Sequence, residues 1–311
     1  MTDIQVSVIL FYSRGVSSPE IAYIQGDEIV SNTRMKLMID LQRIEKEHYQ
    51  LREGERTQDF LTLMLQFIGD PQPELRDELI YPTLYKWIYE EDRFTETELS
   101  TLLAILTDEH HLFYHIGSEG DQSVFTRTFS VLPVALIVRR HSKKPFLDYA
   151  EFQNLKHSLL RYYKEEKDLR GYLPEGGWAH SASHGADALL ELVKCPESDT
   201  AVQLEVLAAI EGMLHNGKQI FSDEDDERIA SIVDTMIEKG LLPQQELADW
   251  ISGLTQCVDW PRSYVQMIAR VNSKNFLRSL YFRRGQGSRG NVLAAVILAA
   301  ETKLNKFATG R

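Results

Sequence analysis

Gly69-Asp70-Pro71-Gln72-Pro73-Glu74-Leu75-Arg76 is the stretch on which the fold turns. Leu61, Met64, Leu65 and Ile68 run into it at helical spacing, and Leu79, Ile80, Leu84 and Ile88 leave it on one side of a second helix. Proline ends the first helix, Asp70 is placed to cap the second, and Arg76 is placed to reach a carboxylate of a neighbouring unit. A similar join, Leu192-Val193-Lys194-Cys195-Pro196, leads into an apolar helix from Leu204 to Leu214. Working outward, Gly117 to Asp121, Pro174 to Gly177, Gly217 to Ser222 and Gly240 to Pro243 punctuate the chain with helix-ending Gly or Pro and nearby capping residues. Strand-like alternation is nearly absent, with Gln5–Phe11 as its one weak candidate. The fold class is all-α.

The turn at Asp70–Arg76, an Asp-Pro followed by an aliphatic-Arg pair, resembles the HEAT-repeat signature. Pro71 and Pro196 lie 125 residues apart, close to three units of the ~40–47 residues typical of such repeats. The expectation is a HEAT-like α-α superhelix, an α-solenoid of antiparallel helix pairs, with a non-repeating bundle as the alternative. A single domain is expected over residues 35–311. Residues 1–34 lack clear helical periodicity and read as a poorly ordered leader, with Met35 as an alternative start.

The 311 residues carry 46 acidic against 34 basic side chains, a formal net charge of −12, which argues against a protein built to grip phosphate backbones. The apolar runs Val131–Val138 and Val292–Ala300 are too short to span a membrane and read as helices buried on most sides. No positively charged n-region precedes the apolar stretch after Gln5. Two cysteines, Cys195 and Cys257, form neither a disulfide framework nor a zinc ribbon and suit a reducing cytosol. A cytoplasmic protein with no membrane partner is expected.

The chemistry-bearing residues concentrate between residues 165 and 191. On a helix, His180, His184, Asp187 and Glu191 fall within an arc of roughly 60°, opposite Ala182, Ala186, Leu189 and Val193. His180, His184 and Asp187 form a His-His-carboxylate set able to hold Zn²⁺ or Fe²⁺. Glu166, Asp168, Arg170 and Glu191 are candidates for acid-base or supporting roles. Ser181 occupies the place where a zinc peptidase carries its glutamate base, so that particular motif is excluded. The bland alternative makes the histidines and Asp187 packing groups between helix pairs, with Trp178 a structural anchor in the core. The function is accordingly a protein- or small-molecule-binding scaffold, or alternatively a metal-dependent hydrolase.

Asp168-Leu169-Arg170-Gly171-Tyr172, Gly177-Trp178-Ala179-His180 and His184-Gly185-Ala186-Asp187 resemble a bacterial family of uncharacterised proteins, domain-of-unknown-function family 2785. Val124–Ser130 and Asn275–Arg283 look like two further phrases of that family. The resemblance implies a helical, HEAT-like domain and no activity.

Weaker signals have simpler readings. Gly285–Gly290 spells Gly-x-Gly-x-x-Gly but follows a helical pattern instead of a strand, and so reads as a turn. Arg283, Arg284 and Arg289 could hold an anion beside it. His111 and His115 sit where a helix ends, a capping arrangement. Ser222–Glu227 lacks the calcium-loop glycine and reads as a helix start capped by Ser222.

Overall fold

The computed structural model describes residues 19–284 and 292–308, with side chains from residue 30 onward. The strand candidate Gln5–Phe11, the Gly285–Gly290 motif and Arg289 lie outside the described residues. The described residues are all-α apart from one short hairpin. The helices run α1 (Pro19–Lys46), α2 (Thr57–Gln66), α3 (Pro73–Leu75), α4 (Tyr81–Tyr85), α5 (Glu96–Leu106), α6 (Ser123–Lys143) and α7 (Tyr149–Glu165). After the hairpin β1 (Tyr172–Leu173) and β2 (Gly177–Trp178) follow α8 (Ser181–Leu192), α9 (Thr200–Leu214), α10 (Asp225–Lys239), α11 (Gln244–Gly253), α12 (Tyr264–Arg284) and α13 (Val292–Leu304). The boundary expected at residue 35 falls inside α1.

Local chemistry sets the helix ends. Thr95 with Glu98 and Asp148 with Glu151 form reciprocal capping boxes on α5 and α7. Gly240 ends α10 in the left-handed conformation that glycine adopts without strain. Wide π turns at Arg76–Ile80 and Lys86–Glu90 flank α4, making residues 73–90 one irregular rod. Pro82 sits within this rod and has no N–H to return to a carbonyl one turn back.

The core is built on α6, in which every residue from Val131 to Val138 is buried. α6 packs against α4, α5, the second π turn and α8; α8 then packs on α10, α10 on α12, and α12 on α13. The intervening α7 packs on α9. α13 differs from its expectation. It buries Leu293, Ile297 and Ala300 on one stripe while Val292 and Leu298 are exposed.

The turn at Asp70–Arg76 joins α2 to α3 as expected, but its side chains act differently. Asp70 accepts from the Gln72 N–H at 3.0 Å and pairs with Arg34 at 2.6 Å, so it closes the turn and ties it to α1 without capping α3. Among the described residues no carboxylate pairs with Arg76. Its fully buried guanidinium donates to the carbonyls of Asp70 and Gly176, both at 2.6 Å, and lies over the rings of Phe125 and Phe129 at 3.9 and 4.5 Å. It thereby pins the hairpin to the first helices.

Candidate functional site

The hairpin turns at Gly176-Gly177, where Gly177 has φ +72° and a Cβ on Gly176 would stand 2.5 Å from the Phe125 ring. Its pairing continues through Ala179 N–H to Gly171 O (2.9 Å) and His180 N–H to Arg170 O (3.1 Å). His180 is therefore not the first turn of a helix, as its spacing suggests; it precedes α8 in a left-handed conformation at φ +49°. Glu224 precedes α10 in the same way at φ +64°. Neither side chain caps the helix it precedes, nor does Ser222, the cap expected for α10. Strained non-glycine residues persist only where their surroundings hold them. Here two of them face one cavity.

That cavity, about 650 Å³, is lined by Asp77 and Tyr81 from the rod, Leu132 of α6, Trp178 and His180 of the hairpin exit, His184 and Asp187 of α8, and Ser222, Asp223, Glu224 and Arg228 around the start of α10. Trp178, expected as a core anchor, is 40% exposed. It stacks on His180 at 4.2 Å and meets Tyr172 edge-on at 4.9 Å. The histidine rings stand edge-on to each other at 5.9 Å, and His184 meets Phe129 edge-on at 5.5 Å. Nε2 of His180 and Nδ1 of His184 are buried with no hydrogen-bond partner.

Burial pushes His184 down to about 3, helped by the positive charge of Arg228, so the ring is neutral at ordinary pH. Burial lowers His180 as well, against a pull from Asp223. Burial raises Asp187 although its Oδ2 lies 2.5 Å from the Arg228 guanidinium. His180, His184 and Asp187 thus share one cavity, but Asp187 is committed to Arg228.

The other candidates are held elsewhere. Glu166 makes a buried two-pronged pair with Arg127 at 2.6 and 2.9 Å and accepts the N–H groups of Lys167 and Asp168. Asp168 accepts from Gly120 N–H and pairs with Arg170, while its carbonyl takes the Ser181 hydroxyl. These groups set the path of the chain from α7 into the hairpin and so position α8. Glu191 pairs with Lys194 at 2.6 Å near the far end of α8. His111 pairs with Asp108, His115 stacks on Tyr114, and Arg283 and Arg284 pair with Glu227 and Asp234.

One cluster went unnoticed in the sequence. The ligand atoms of His141, Cys195 and Glu197 lie within 4.8 Å of one another, the one such group of three or more among the described residues. Its hydrogen bonds do not suit a metal. Nδ1 of His141 accepts the backbone N–H groups of Phe146 and Leu147 at 3.0 and 3.2 Å, so Nε2 carries the proton and donates to Glu197 at 3.1 Å. A metal-binding imidazole has the reverse arrangement, with its outer N–H given to an acceptor. Burial also pushes the Cys195 thiol up to about 12, away from the thiolate a metal needs. The cluster fastens the end of α6 to the α8–α9 join. Signals for Asp77, Tyr81, Asp223 and Glu224 as cavity walls were absent from the sequence, because they come from elements far apart in the chain.

No curated protein and no solved structure matches the chain. A family model described as "Protein of unknown function (DUF2785)" matches residues 112–282, a span that holds the hairpin, α6 to α11, most of α12, and every cavity wall except Asp77 and Tyr81. The chain belongs to this family.

Proposed function

We propose that the chain is a HEAT-like α-α superhelix that acts by binding a small polar ligand in the cavity around His180 and His184. The succession of neighbours α6–α8–α10–α12, with α7 against α9, supports the superhelix. We further propose one domain over residues 35–311 and a cytoplasmic location, the latter supported by two free buried thiols. The ligand reading is carried by one observation: a buried neutral imidazole, His184, lines the cavity with Nδ1 unpartnered. Buried polar atoms are nearly always satisfied, and a ligand group would complete this one. A thermal-shift screen against a metabolite library tests it. Stabilising compounds whose effect vanishes in His184→Phe are expected; stabilisation that survives that substitution defeats the reading.

A second reading, a metal-dependent hydrolase using His180, His184 and Asp187 with Zn²⁺ or Fe²⁺, is favoured by the second unpartnered nitrogen, Nε2 of His180, in the same cavity. It requires Asp187 to leave Arg228. Titration of untagged protein with zinc chloride decides it: stoichiometric binding abolished by His184→Ala is the outcome this reading needs.

A further inference from the structure

We propose that the cavity between the rod, α6, α8 and α10 takes an organic cation carrying a primary or secondary ammonium group, with Asp77, Asp223 and Glu224 supplying the countercharge. The proposal rests on the ligand-binding reading above and names its ligand class. The buried carboxylates Asp70, Glu166, Asp168 and Glu191 are matched, by Arg34, Arg127, Arg170 and Lys194. Asp77, Asp223 and Glu224 line the cavity, yet among the described residues no cationic side chain pairs with them. The arginine in the wall, Arg228, is already engaged by Asp187. Burial moreover raises the Asp77 carboxyl, against the pull of the neighbouring Arg76 charge.

The unpartnered nitrogen is an independent sign of the same chemistry. His184 is neutral and only 9% exposed, and its Nδ1 has no hydrogen-bond partner. With the ring proton on Nε2, Nδ1 is an acceptor with no donor. An ammonium N–H is a donor with no lone pair of its own, so it satisfies both the imidazole and the carboxylates. Trp178 and Tyr81 add aromatic side chains to the wall, and aromatic rings attract organic cations. An anion would meet three unpaired carboxylates. A bare metal ion would find no three ligand atoms within 4.8 Å in this cavity, and the Arg228 guanidinium in its wall.

Calorimetric titration of the full chain at physiological salt with cadaverine, spermidine and phenethylammonium, and with the diol analogue of cadaverine, tests the assignment. At least one amine is expected to bind one to one while the diol does not. Asp77→Asn and Asp223→Asn should each weaken that amine about tenfold without lowering Tm, because neither carboxylate has an ion-pair partner to lose. Glu175→Gln, on the hairpin outside the cavity, should leave binding unchanged. Failure of all three amines, or equal weakening by Glu175→Gln, overturns the proposal. If the metabolite screen then yields a neutral or anionic ligand dependent on His184, the ligand-binding reading stands and only the cation class falls. Stoichiometric zinc binding lost in His184→Ala defeats both.

Discussion

Burial fixes the protonation of two groups beside the cavity, with opposite consequences for stability. His184 is pushed down to about 3 in the folded protein, whereas an unfolded chain holds it near the ordinary value of about 6.5. Between those values the unfolded chain binds the proton and the native one does not. Stability therefore falls as pH drops below about 6.5, at up to ~1.4 kcal/mol per pH unit from this group. Asp225, whose Oδ1 accepts the Ser183 hydroxyl at 2.6 Å, is pushed up to about 6 by burial, with Asp223 and Asp226 adding to the shift. Its native form holds the proton more tightly, so its contribution rises as pH falls from about 6 towards the unfolded carboxylate value. Denaturant unfolding at neutral and mildly acid pH separates them. His184→Phe should remove part of the acid-side loss. Asp225→Asn, which can still accept from Ser183, should stabilise the protein at pH 7 by on the order of 1 kcal/mol and lose that advantage in acid. At this scale the sequence carried three of the eleven residues that line the cavity. Spacing within one segment brings His184 and Asp187 to one face, and the hairpin exit adds His180. Asp223 and Glu224 looked like the charged start of a capped helix, because no local rule announces that Glu224 turns left-handed and that both residues line a cavity wall.

Among the elements, the join between α2 and the rod was legible and its wiring was not. Pro71 and Pro73 state that a helix ends and another begins. That Arg76 lies over two phenylalanine rings and holds a hairpin one hundred residues away depends on tertiary contacts. The hairpin itself escaped notice because strands of two residues are too short for alternation to register, leaving Gly176-Gly177 as its one mark. Arg76→Met should cost about 2–4 kcal/mol, since it removes the donor to two carbonyls at an almost dry site. It should also free the hairpin, seen as altered Trp178 fluorescence in protein that is still folded. Gly69→Ala tests the neighbouring contact. A Cβ there would stand 2.6 Å from Thr126 Cα and 2.7 Å from Thr126 N, backbone atoms of α6 that cannot rotate away. A loss of about 2–3 kcal/mol is expected, and an unchanged Tm would show that the α2–α6 approach is looser than described.

Across the whole molecule, helices packed mainly on their near neighbours divide stability unevenly. α6 is buried on nearly every side and α8 lies between α6 and α10, whereas α13 offers one apolar stripe to α11 and α12. In such an arrangement damage at an end stays local, while damage at the centre removes the support of both flanks. Ile297→Ala, at a position 1% exposed on α13, should cost about 2–4 kcal/mol of local stability. It should accelerate amide exchange in α11 to α13 and leave α6 and α8 protected. Arg127→Met strips Glu166 of its buried partner at the centre, where the pair joins α6 to the chain that leads into α8. Exchange should then quicken throughout α6, α7, α8 and α10 together. Hydrogen-exchange mass spectrometry of the two variants compares these responses directly. Uniform acceleration along the chain in Ile297→Ala would mean that the helices unfold as one block, and the stacked, neighbour-by-neighbour architecture would give way to a single undivided bundle.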